Sequence, residues 1–318
     1  MYPDNSWYSH RYILAKYCKV KNDLPIFGSM VHGYIPLASR FKNKFNIISG
    51  KRKFTMANFF FWNKKQVMYS KRNGVKNVNA IGAPFLYLHK MNIKKFLKPE
   101  GTLIMPAKSG SEIKAKYSLM KLIELVEKKF PKPYTLCVGS LDCHSTKKQI
   151  NNRSNWKVVT CGNRTDKKFL FKLYSYLNNH MHVVQTFPSS SLLYSLFLKK
   201  KTYFIDHYYE NNKRVMLHQN FYEDHIEYIN DFKKYNFNFK KINSKKNYTS
   251  VLKILGFDCL KSRTELKKLF GWDNKIKIFF AIFFLYTYDL MHGQDLRNKG
   301  VYHNTKIADL KKKKMLVD

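Results

Sequence analysis

Between Thr102 and Ile205 the chain alternates short β-branched runs with amphipathic stretches, and this alternation narrows the possible folds more than anything else in the sequence. Thr102–Pro106 (TLIMP), Tyr134–Val138 (YTLCV), Lys157–Cys161 (KVVTC), His182–Thr186 (HVVQT) and Thr202–Ile205 (TYFI) are too short for helices and have the composition of buried strands. Between them lie stretches with helical periodicity. In Ser111–Lys129 the residues Ile113, Tyr117, Met120, Leu122, Ile123 and Val126 make one apolar face, and Pro131 and Pro133 stop the pattern. Phe169–Asn179 and Ser189–Lys199 read as two further helices. Strands alternating with helices of this length predict parallel βαβ units, hence an α/β fold with parallel sheets.

At 318 residues the chain can bury one large core or two smaller ones, since single cores stop growing near about 250 to 300 residues, and two lobes are expected. Val75–Tyr87 reads as a strand leading into a turn at Gly82 and Pro84, and the polar segment KKFLKPEG puts the lobe boundary near Lys98. The expected division is a first lobe at 1–98, a second at 99–255, and a helical extension with a basic tail at 256–318. A first lobe of under about 100 residues is small, which a missing N-terminal piece would explain. Asn211–Tyr248, rich in Tyr, Asn and Lys, shows little periodicity and is expected as long loops with short helices. Thr249–Gly256 and Ser262–Phe270 are expected as helices.

Lysine and arginine number 59 against 21 acidic residues, a net charge of +38 that attracts phosphates, anionic lipid or nucleic acid. The joint enrichment of Lys, Asn, Phe, Tyr and Ile also fits AT-rich codon usage, although that bias does not explain the scarcity of Asp and Glu. Five scattered cysteines without CxxC pairing indicate neither a disulfide framework nor a zinc site and suit a reducing cytoplasm. The start, MYPDNSWYSHRY, lacks a signal-peptide pattern. Ile276–Leu290, with its apolar centre at Ile278–Tyr286, is too short to span about 30 Å of hydrocarbon. It is either a buried helix or one lying in the interface of an anionic membrane.

The strongest local signal for chemistry is TFPSSSLLYSLFLKKKTYFI, which sets Ser189, Ser190 and Ser191 between a strand and a helix. Unsatisfied N–H groups and the dipole at a helix N-terminus favour a phosphate there, with serine hydroxyls beside it. The plainer alternative is a serine that caps the helix. Arg164 and Asp166 follow a strand, at the edge where α/β proteins bind ligands. Arg164 could clamp a diphosphate, and Asp166 could hold a sugar hydroxyl or cap the helix at Phe169. No metal is expected, because His180 and His182 diverge along a strand and Asp142, Cys143 and His144 lack ligand spacing. Neither GxxxxGK[ST] nor GxGxxG occurs, and no nucleic-acid module is present.

Strand, serine cluster, helix with an aromatic, basic turn and strand together resemble the donor-binding segment of GT-B glycosyltransferases, distantly similar to bacterial sialyltransferases and CDP-glycerol glycerophosphotransferases. NVNAIGAPFLYL (Asn77–Leu88), GTLIMPAKSGSE (Gly101–Glu112) and VVTCGNRTDKKFL (Val158–Leu170) resemble a bacterial surface-polysaccharide family, the likeness covering about Leu24 to Ile205. The resemblance implies two Rossmann-like lobes, a nucleotide-sugar as substrate rather than a cofactor, a glycan or lipid-linked acceptor, and work at the inner membrane face. SMVHGYIP (Ser29–Pro36) resembles a His-Gly-x-x-Pro turn, which makes His32 the candidate base for an acceptor hydroxyl. Where the family has a histidine followed by two serines, this chain has Lys108, Ser109 and Gly110. Lys108 can neutralise a phosphate but cannot carry a proton as a neutral group near pH 7. Two other readings are a basic nucleic-acid-binding protein and an inactive polysaccharide-assembly partner that keeps the fold.

Overall fold

The continuous apolar runs become the inner strands of two parallel sheets. The computed structural model describes residues 3–22, 24–34, 36, 58–91, 98–106, 118–205, 219–274, 276 and 278–279. Its larger sheet holds β4 (Thr102–Met105), β5 (Tyr134–Val138), β6 (Trp156–Thr160), β7 (His182–Gln185) and β8 (Lys201–Phe204), in the order β6-β5-β4-β7-β8. Every pairing is parallel, and Ile104 stands between Leu136 and Val184. β4 and β5 are buried along their whole length, as strands covered on both faces must be, while β6 and β8 at the edges are partly exposed. This is the α/β arrangement with parallel sheets expected from the alternation, and it is compatible with two Rossmann-like lobes.

The smaller sheet is also parallel and joins β1 (Ser29–Met30), β2 (Phe59–Phe61) and β3 (Val78–Ala80) in sequence order. Phe59, Phe60, Phe61 and Trp62 are all buried, so β2 forms the core of this lobe. Around it lie α1 (His10–Cys18), α2 (Lys64–Arg72) and α3 (Pro84–Lys90). A capping box between Asn63 and Gln66 starts α2. The strand expected over Val75–Tyr87 is shorter than the sequence suggested. It ends at Ala80, and Pro84 opens α3, because a proline has the right φ for the first helical position and needs no N–H there.

The second lobe carries α4 (Leu119–Lys129), α5 (Cys143–Gln149), α6 (Phe169–Asn179) and α7 (Ser190–Phe197). The helix expected over Ser111–Lys129 is seen from Leu119, and 107–117 lie outside the described residues. The loops expected over Asn211–Tyr248 need correction, for Gln219–Lys233 is a helix of 15 residues, α8. Its inner stripe is aromatic and continues past the helix end: Tyr228 packs on the core, and Phe232 and Tyr235 are buried at helical spacing.

The last described helices, α9 (Lys245–Leu255) and α10 (Arg263–Phe270), return to the first lobe. Ala83 N–H donates to the Leu255 carbonyl (2.8 Å), the Asn63 amide to the Ile254 carbonyl (2.8 Å), and the Trp272 indole to the Pro25 carbonyl (2.6 Å). The Phe60 and Phe270 rings meet edge to face at 4.9 Å. Gly256 ends α9 with φ 69°, and a Cβ there would collide with the Trp62 carbonyl. Residues expected as a C-terminal extension thus supply part of the small lobe's core. Among the described residues no helix is long and apolar enough to cross a membrane, and Ile276–Leu290 lies outside them from residue 280 onward.

Candidate functional site

Strand order in the larger sheet reverses between β4 and β7, and in open α/β sheets ligands bind outside the carboxyl ends of the strands at such a switch point. The loop after β7 carries the three serines. Lys108 and Ser109, which follow β4 in sequence, lie outside the described residues.

Ser189 is the extended N-cap of α7 (φ −99°, ψ 174°), yet its side chain makes no capping bond. Its hydroxyl instead lies 2.7 Å from that of Ser191, which donates to Gln185 Oε1 at 3.2 Å. Gln185 is buried, and its amide reaches Met105 Sδ on the neighbouring strand. Ser190 faces the other way. Its hydroxyl oxygen accepts the N–H of Tyr34 at 3.0 Å and is hydrogen-bonded to the hydroxyl of Tyr194, whose pKa burial pushes up. All three serines are half-buried, and a Cβ added at Gly33 would stand 3.6 Å from Ser190 Oγ. The His32-Gly33-Tyr34 turn of the first lobe therefore rests on the serine helix of the second.

The half-buried His32 ring meets Trp7 edge-on at 4.4 Å and stacks on Tyr8 with centroids 6.2 Å apart and planes 27° from parallel. Arg164 is exposed, and its guanidinium covers the Trp7 ring at 3.9 Å, so one indole holds both the imidazole and the arginine. Tyr8 (φ 54°) and Ser9 (φ 67°) are consecutive left-handed residues, a conformation costing about 1–2 kcal/mol each without glycine. Contacts with the Arg164–Leu170 segment hold them: Tyr8 N–H donates to the Arg164 carbonyl (2.6 Å), Ser9 Oγ donates to the Asp166 carbonyl (3.0 Å), and Leu170 N–H donates to Ser9 Oγ (3.2 Å).

Asp166 belongs to the frame of this loop. Its carboxylate accepts the Lys168 N–H at 2.7 Å and meets the Lys172 ammonium at 2.6 Å. Burial works to raise its pKa, but the bonds from Lys172 and Lys168 outweigh burial and hold the group below the usual carboxylate range. His10 is buried behind the turn, hydrogen-bonded to the Val31 backbone, and its Nδ1 has no hydrogen-bond partner among the described residues. Burial, then the charge of the neighbouring His32, lowers its pKa to about 3, so it is neutral near pH 7.

A second network fastens the turn from below. The Tyr34 hydroxyl donates a short hydrogen bond to the buried Asp231 carboxylate on α8, and the Tyr228 hydroxyl donates to the Tyr34 carbonyl at 2.8 Å. Tyr228 also packs on Phe187 in the serine loop, so α8 touches both halves of the site. Burial, followed by Tyr235 and Asp231, pushes the Tyr34 pKa up, which keeps the hydroxyl a proton donor.

The structure thus brings together His32, Arg164 and Ser190, places Ser189 and Ser191 in the same loop, and gives Asp166 partners of its own. Sequence reasoning missed Trp7, Tyr8, His10, Tyr34, Tyr194 and Asp231, because aromatic residues scattered over the chain carry no local pattern until the fold collects them. Among the described residues no group of three or more His, Cys, Asp or Glu is placed to hold a metal ion. His180 bonds the Tyr176 carbonyl (2.7 Å) and Thr135 Oγ1 (2.8 Å), while the His182 ring lies parallel to Tyr203. Comparison with family models, curated proteins and solved structures finds no match. What remains is the chemistry of the side chains: hydroxyls and a guanidinium that can hold an anion, and an imidazole that can take a proton from a hydroxyl.

Proposed function

We propose that the chain is a metal-independent, GT-B-type glycosyltransferase that moves a sugar from a nucleotide donor to a surface glycan or its lipid-linked precursor. The supporting observation is the hydrogen bond from Tyr34 N–H to Ser190 Oγ, which seats the first-lobe histidine turn at the start of α7 in the second lobe. In this reading the donor diphosphate lies at the start of α7, with Ser189–Ser191, Arg164 and the sequence neighbours Lys108 and Ser109 stabilising the leaving phosphate. His32 takes the acceptor proton. The protein works in the cytoplasm, peripheral to an anionic inner membrane face where its acceptor resides.

A thermal-shift panel of CMP, UDP, GDP and CDP compounds tests the reading. A ligand at 100 times its Kd adds about 2.7 kcal/mol to the folded state, a plain upward shift in melting temperature. A flat panel overturns the proposal. With a responding nucleotide in hand, His32→Asn keeps the shift and abolishes transfer, whereas retained turnover removes His32 from the mechanism.

A further inference from the structure

Two segments far apart in sequence place cations around Tyr17 of a third, on one face of the first lobe. Helix α1 and helix α3 contain no Asp or Glu, and α10 contains only Glu265. That carboxylate is occupied within its own helix start, where it accepts the Ser262 N–H at 2.8 Å and meets Lys261 at 3.9 Å. Around Tyr17 of α1 stand Lys90 of α3, 6.0 Å from the ring centroid, and Arg263 of α10, 5.5 Å from it. Lys267, one turn further along α10, acts with Arg263 on the adjacent Cys18 thiol. Lys90 and Arg263 are exposed and Lys267 is half-buried.

Arg263 occupies the first turn of α10, where the helix dipole disfavours a positive charge, so the helix itself gives no reason for it beyond its 5.5 Å approach to the Tyr17 ring. Six residues after α10 the character of the surface changes. Ile276 is 69% and Phe279 66% exposed, among the most exposed apolar side chains described, and the sequence continues apolar to Tyr286. Phosphates of a polynucleotide would satisfy the cations but leave these apolar groups in water. An anionic bilayer satisfies both, with headgroups on the lysines and arginine and acyl chains for the isoleucine and phenylalanine.

We propose that the face formed by α1, α3 and α10, with Ile276 and Phe279 beyond α10, docks this protein on an anionic bilayer. The inference rests on the peripheral placement proposed above and names the surface that provides it. In flotation assays the full chain should bind vesicles of phosphatidylcholine mixed with phosphatidylglycerol, release them in high salt, and ignore phosphatidylcholine alone. Losing one surface cation weakens such binding roughly fivefold, so the triple variant Lys90→Ala, Arg263→Ala, Lys267→Ala should bind on the order of 100-fold less tightly. Arg263→Ala alone should show a fivefold loss at an unchanged or raised melting temperature, which separates docking from misfolding.

The control triple Lys147→Ala, Lys148→Ala, Lys157→Ala removes equal charge beside the β6 edge of the larger sheet and should leave binding nearly intact. Equal weakening by both triples would overturn this face while leaving the peripheral placement standing. Failure of the unaltered chain to float with anionic vesicles would overturn both. Binding to an oligonucleotide in place of vesicles at the same salt would overturn the bilayer as partner.

Discussion

His10 sets a measurable acid limit on the fold. Its folded pKa of about 3 lies below the ordinary histidine value of about 6.5, so between those values the unfolded chain binds a proton that the native state refuses. Stability from this source is complete above pH 6.5 and falls as the pH drops toward 3. The slope is about 1.36 kcal/mol per pH unit, or roughly 2 kcal/mol between pH 7.5 and pH 5. His10→Gln isolates the effect, since the ring bonds Val31 through the nitrogen other than the unpartnered Nδ1 and a glutamine amide can make that bond without titrating. Equilibrium urea denaturation of both proteins across this range supplies the comparison. At pH 7.5 the variant should lie within about 1 kcal/mol of the parent, and its stability should fall more slowly with acid by the slope above. Other histidines with lowered values, among them His89, His180 and His182, contribute equally to both proteins and cancel. Parallel acid limbs for the two proteins would refute the assignment of a neutral buried His10.

Three other expectations follow from single contacts. Ser190→Ala removes the acceptor of the Tyr34 N–H and should cost about 1–2 kcal/mol in urea denaturation, with a smaller nucleotide-induced thermal shift; an unchanged shift would detach Ser190 from the donor. Asp166→Asn keeps an acceptor for Lys168 N–H and loses only its partly exposed pairing with Lys172, so it should cost less than about 1 kcal/mol and leave nucleotide binding as it was, as titration calorimetry would show. Gly256→Ala forces a left-handed alanine against the Trp62 carbonyl and should lose about 2–4 kcal/mol, read as a fall in melting temperature.

The larger sheet was legible because its inner strands are short, β-branched and uninterrupted, and Phe169–Asn179 has the bounds of the helix that forms there. The triple serine was legible as a strand-to-helix turn, but which hydroxyl meets the other lobe was not, since that depends on the docking of Gly33 and Tyr34. α8 escaped notice because its apolar stripe is carried by tyrosines and a phenylalanine amid Asn and Lys, with a buried aspartate whose partner, Tyr34, is 197 residues away. Helix α3 was read as a turn because Gly82 and Pro84 punctuate both. Trp7 and Tyr8 had no signal at all, for their value lies in touching His32 and Arg164, which other parts of the chain deliver.

The return of α9 and α10 to the first lobe reverses the order in which the halves can mature on the ribosome. The first lobe is made first, yet the Phe60 ring, the Trp62 carbonyl and the Pro25 carbonyl each also meet residues 254–272, near the end of the described chain. The sheet ladders of 102–204 need no such wait, because every one is local to that stretch, although α9 later packs on α7 and Asn243 bonds Thr202 at the sheet edge. A nascent chain interrupted before Lys245 therefore holds the paired strands of both sheets but lacks the helix that packs on α7 and the Phe270 ring that meets Phe60, which leaves apolar surface open to chaperones until the last helices arrive.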